Sequence, residues 1–77
     1  MNGTRFQNEF RQIGLRVAYF RKQKGYTQES FAEKMGVGVS YIGSIEAPGE
    51  LRKISLTTLF RIADALEVSA YKLLKFD

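Results

Sequence analysis

The chemistry concentrated in this chain is that of hydroxyls and uncovered backbone, not of acids, bases or thiols. In the segment Val39-Ser40-Tyr41-Ile42-Gly43-Ser44-Ile45-Glu46, Ile42 and Ile45 stand at i, i+3, the inward edge of a short helix. The opposite side then presents Val39, Ser40, Gly43 and Ser44. A serine hydroxyl both donates and accepts, so Ser40 and Ser44 suit the edges of more than one nucleobase, and Val39 suits a thymine methyl. Tyr41 has two readings: a hydrogen bond to a phosphate or base edge, or packing as a lid on the core. Gly43 costs a helix about 0.5–1 kcal/mol relative to alanine. On an outer face, close approach to another molecule would explain that cost.

What the chain lacks narrows the rest. Histidine and cysteine are both absent, which removes the commonest general base, metal ligand and nucleophile. The acidic residues form no convincing inward-facing pair, and there is no phosphate loop of the P-loop type. Enzymatic chemistry, a resident metal and a bound cofactor are therefore not expected. No apolar run approaches the ~20 residues of a membrane span, and no signal-peptide core opens the chain. The expectation is a soluble cytoplasmic protein.

Charge placement says more than the net +4 over 77 residues. Residues 1–26 carry six Lys/Arg against Glu9 alone. Residues 27–46 carry Lys34 against Glu29, Glu33 and Glu46. Cations thus flank the hydroxyl-rich helix, as Arg21-Lys22-Gln23-Lys24 before it and Arg52-Lys53 after it. Flanking cations can hold phosphates on either side of a groove while the helix between them meets base edges.

The elements that must position this face follow from local signals. Thr27 is suited to N-cap a helix that buries Phe31, Ala32 and Met35. Gly36 falls where that helix must stop, at a position calling for positive φ, and Val37 plugs the gap before a second helix over about 39–46. Two short helices around a glycine turn form a helix-turn-helix. Upstream, Phe6, Phe10, Ile13, Val17 and Phe20 make one stripe along a helix of about five turns. Thr4-x-x-Gln7 resembles a capping box at its start and Gly25 closes its end. Downstream, Ala47-Pro48-Gly49-Glu50 is a loop, and Ser55 caps a helix turning Leu56, Leu59, Ile62, Ala63 and Leu66 to one side. Ser69 opens a last short helix with Tyr71, Leu73 and Leu74. The expected architecture is all-α with five helices: a flexible tail over 1–5, then one compact domain over 6–77.

The run Thr27-Gln28-Glu29, Phe31-Ala32-Glu33-Lys34, Gly36-Val37, Tyr41-Ile42 and Ile45-Glu46 resembles the helix-turn-helix of phage Cro and lambda repressor, the XRE family. The likeness extends to Ile13, to Arg21-Lys22-Gln23-Lys24-Gly25, and to Ser55-Leu56-Thr57-Thr58-Leu59, Ile62-Ala63-Asp64-Ala65-Leu66 and Val68-Ser69, with several motifs in matching order. The resemblance implies a lambda-repressor-like DNA-binding domain whose second motif helix enters the major groove. It places base-reading positions on Val39, Ser40 and Ser44, with Tyr41 a near neighbour, and has Gln28 meeting a phosphate or an adenine edge; Thr27 and Gly43 complete the expected DNA-contact surface. Arg52 and Lys53 are expected to hold phosphates, in a loop that looks longer than its phage counterparts. Arg21 and Glu46 would form a partly buried salt bridge that orients the reading helix.

One departure matters: the reading face lacks Arg, Lys, Asn and Gln, the side chains behind bidentate base contacts worth ~1–3 kcal/mol each. Specificity would then lean on DNA shape and on two copies acting together as a homodimer on a pseudo-palindrome of double-stranded DNA. Dimer contacts could come from Tyr71, Leu74 and Phe76, or from Phe6 and Phe10. The leading expectation is a small transcriptional repressor or autoregulator. The alternative is a protein-interaction module of the same fold, such as an antitoxin.

Overall fold

The computed structural model describes residues 6–47 and 54–76. Among these residues there are four α-helices and no strand: α1 (Gln7–Gln23), α2 (Gln28–Met35), α3 (Val39–Glu46) and α4 (Leu56–Leu66). The architecture is all-α, but the expected fifth helix is only a 3-10 turn, Ala70–Leu73. Four residues are too few to repay the nucleation cost of an α-helix. Ser69 makes no side-chain cap there, and Leu73 is fully buried while Tyr71 and Leu74 stay exposed.

Each helix end has a local cause. α1 closes with Tyr26 N–H on the Arg21 carbonyl and Gly25 N–H on that of Lys22, with Gly25 at φ 86°. This double closure needs a left-handed residue, which glycine supplies without a Cβ clash. α2 starts at a reciprocal cap: Thr27 Oγ1 accepts from Ser30 N–H, and Ser30 Oγ accepts from Thr27 N–H, both at 2.9 Å. It ends on Gly36 at φ 73°. Ser55 caps α4 by accepting from Thr58 N–H at 3.1 Å. The end of α4 departs from habit, since Glu67 takes the left-handed position at φ 59°.

The start of α1 differs from the sequence expectation. The helix begins at Gln7 behind Phe6, which is left-handed at φ 67° and provides no side-chain cap. A capping box would put Gln7 three residues into the helix, whereas it is the first helical residue; Thr4 lies outside the described residues. Phe6 therefore leaves the stripe and stands exposed, while Ile13, Val17 and Phe20 are buried and Phe10 packs against the core from its edge. In α4, Leu59, Ile62, Ala63 and Leu66 face inward, but Leu56 is 67% exposed. It sits in the first turn, three residues before the buried run begins.

One core unites the elements. Val17, Phe31, Ile42, Ile62, Leu66 and Leu73 are its fully buried large side chains, drawn from all four helices and the 3-10 turn. Each contributes about 1.5–3 kcal/mol by leaving water. α1 crosses α3 at Gly14, where a Cβ would collide with the Ile45 carbonyl oxygen and lie 3.3 Å from its carbon. The absent side chain allows the two backbones to touch, and this contact sets how α3 is carried on the domain.

Candidate nucleic-acid interface

α3 is held along its inner edge and at its end. Ile42 and Ile45 are buried in the core, and Glu46 is 8% exposed. Arg21 from α1, itself 6% exposed, donates from Nε to Glu46 Oε2 at 2.7 Å and from Nη2 to Oε1 at 3.1 Å. Its Nη1 donates to the Tyr26 carbonyl at 2.7 Å. Buried charges persist when paired and hydrogen-bonded, and both conditions hold here. All three guanidinium nitrogens thus donate inside the fold, which fits the orienting salt bridge expected of this pair.

A third donor reaches the same carboxylate. Gln28, the first residue of α2, donates from Nε2 to Glu46 Oε1 at 2.9 Å. Glu46 thereby ties the end of α1, the start of α2 and the end of α3 into one junction. No sequence pattern marks the Gln28 link, because an uncharged amide eighteen residues from its acceptor carries none. With Nε2 committed, the Gln28 Oε1 lies 3.9 Å from where a Gly43 Cβ would stand.

The outer side of α3 carries the residues singled out from sequence. Val39 is 44% exposed and Ser40 is exposed; Gly43 and Ser44 are half-buried. Ser44 Oγ donates to the Tyr41 carbonyl at 2.9 Å. Tyr41 is half-buried and packs on the core, as the lid reading had it. Among the described residues nothing demands a glycine at 43, since a Cβ there would make only ordinary contact.

Thr27 and Val39 line one shallow groove of about 510 Å³ beside the start of α3, together with Glu29 and Glu33. The start of α2 and the outer face of α3 thus form a continuous surface. That surface is acidic on one flank, so attraction for an anion must come from outside it. Arg52 and Lys53 lie outside the described residues. On the far side of α2, Lys34 donates to the Tyr26 hydroxyl at 2.7 Å, and this bond is the chief cause that holds its ammonium above the usual lysine pKa.

Residues 17–73 match the model of the helix-turn-helix family HTH_3. The chain belongs to this family. It is a DNA-binding transcriptional regulator of the XRE type. Over 60 residues it is 43% identical to the uncharacterized HTH-type transcriptional regulator YazB of Bacillus subtilis, covering 78% of this chain and 84% of that one. It is 40% identical over 62 residues to the HTH-type transcriptional regulator SinR of Bacillus subtilis, and spans 55% of SinR's length. The crystal structure of SinR, master regulator for biofilm formation, in complex with DNA superposes with a TM-score of 0.73 at 41% identity. That match covers 82% of this chain and 98% of the SinR chain. The restriction-modification controller protein C.AhdI of Aeromonas hydrophila superposes with a TM-score of 0.76 at 30% identity, covering 86% and 97%. Among the described residues, no helix is long and apolar enough to cross a membrane.

Proposed function

We propose that α3 lies in the major groove of duplex DNA and that the protein acts as a small repressor by occupying an operator. The carrying observation is the outer face of α3, where Val39 and Ser40 are exposed and a Cβ on Gly43 would make only ordinary contact. In this reading Val39, Ser40 and Ser44 meet base edges, and Gly43 lets the backbone come close. Thr27 and Gln28 meet the sugar-phosphate backbone or an adjacent base from the start of α2, and Tyr41 borders the contact. Arg52 and Lys53 supply phosphate contacts from the segment after α3. The domain over 6–77 would work in the cytoplasm.

Two copies bind a pseudo-palindrome with half-site centres about one helical turn apart, ~34 Å. A short reading face without long polar side chains favours this, because pairing two weak half-sites multiplies modest discrimination. Exposed apolar side chains supply candidate dimer surfaces: Tyr71, Leu74 and Phe76 at the C-terminal end, and Leu56 with Phe60 on α4. Selecting random duplexes on the purified protein tests both parts at once. A motif with two-fold symmetry and an affinity falling steeply with salt is expected. A protein that retains no duplex in low salt would overturn the reading.

A further inference from the structure

A second concave site lies away from α3. α1 and the 3-10 turn enclose a cleft of about 360 Å³, lined by Arg16, Tyr19, Gln23, Tyr71, Lys72 and Lys75 among others. That volume is within the range of small-molecule sites. Three cations line it, and no Asp or Glu does so among the described residues.

Its walls are set in place. Arg16 Nε donates to the Lys72 carbonyl at 2.6 Å, which pins the guanidinium across the cleft while it stands 5.9 Å from the Phe20 ring centre. Tyr19 meets Phe20 edge-on at 5.0 Å, and Gln23 Nε2 donates to the Tyr19 hydroxyl at 3.3 Å. Tyr19 and Tyr71 are 58% and 64% exposed, large aromatic side chains left in water beside fixed positive charge.

These cations do not serve the reading helix. At about 100° per residue, Arg16, Tyr19 and Gln23 are centred about 180° around α1 from Gly14. Gly14 and Arg21 face α3, so the cleft opens on the opposite side of α1. DNA seated on α3 would not reach it.

We propose that this cleft binds a small anion carrying an aromatic ring, of the nucleotide class. The phosphates pair with Arg16 and Lys72, and the base lies against a tyrosine, because every base offers a face to stack. A flat acidic protein surface fits a concave site of this size less well than a compact ligand does. The proposal stands apart from the DNA reading, and its failure would leave that reading untouched.

The test is titration of the whole isotopically labelled chain with ADP, pyrophosphate and adenosine, followed by amide and aromatic NMR shifts. ADP is expected to move Tyr19, Tyr71 and Lys72 signals and to bind more tightly than either fragment. Lys72→Glu should weaken ADP about ten- to a hundredfold, the loss typical of a charge-assisted contact. Tyr71→Ala should also weaken it, and Lys72→Glu, at an exposed side chain, should leave the melting temperature and duplex affinity unchanged. No shifts at millimolar ADP, shifts confined to α3, pyrophosphate binding as tightly as ADP, or ADP affinity unmoved by both variants would each overturn the proposal.

Discussion

Arg21 grips Glu46 with two hydrogen bonds, 2.7 and 3.1 Å, across the gap between the end of α1 and the end of α3. Gln28 adds a third donor to the same carboxylate. Glu46→Ala removes the common acceptor and leaves a buried guanidinium without its counter-charge. A loss of about 3–5 kcal/mol is expected, the usual result of breaking one side of a buried pair. Glu46→Gln keeps an acceptor and should lose less. Ser40→Ala, on the exposed face, should melt like the parent protein. Urea and thermal denaturation check the ordering, and equal melting of the Glu46→Ala and Ser40→Ala variants would contradict it.

Gly14 is the point where the two backbones touch. Gly14→Ala puts a methyl group into the Ile45 carbonyl, and the obstacle is backbone that no side-chain rotation relieves. The substitution would help an isolated helix by about 0.5–1 kcal/mol. In the folded protein it should instead destabilise by about 1–3 kcal/mol, as overpacking does. Because α3 must move to relieve the clash, duplex affinity should fall as well, even at temperatures where the variant is folded.

Gly43 makes the opposite pair of predictions. The fold has room for a Cβ there, with Gln28 Oε1 at 3.9 Å as its nearest neighbour. Gly43→Ala should therefore raise stability by about 0.5–1 kcal/mol while weakening duplex binding. Parallel melts and filter-binding or anisotropy titrations would show the two effects with opposite sign. A variant both more stable and equally tight on DNA would remove close approach as the reason for this glycine.

Local signals in the sequence were enough to place the motif. Thr27, Gly36 and the Ile42–Ile45 spacing each act within one or two turns of chain, and α3 runs over the residues that spacing implies. Where tertiary contacts decided, the residues were silent or misleading. Gly14 sat in plain view inside an apolar stripe, yet only the crossing of α1 over α3 shows what it does. Leu56 fits the α4 period but stands one turn before the core begins, and Phe6 fits the α1 period but precedes the helix. The family resemblance points Gln28 toward a phosphate or an adenine edge, and only the fold shows that its Nε2 is committed inward to Glu46. Glu67 occupies a left-handed position that sequence habit reserves for glycine or asparagine.

The most direct test of the account is duplex affinity after Val39→Asp. Val39 is 44% exposed at the first position of α3, so a carboxylate there leaves the core intact and favours the helix start electrostatically. On the duplex selected by the parent protein, the account predicts an unchanged melting temperature and loss of measurable specific binding in moderate salt. A Val39→Asp protein that binds the same duplex with the parent's affinity would contradict it.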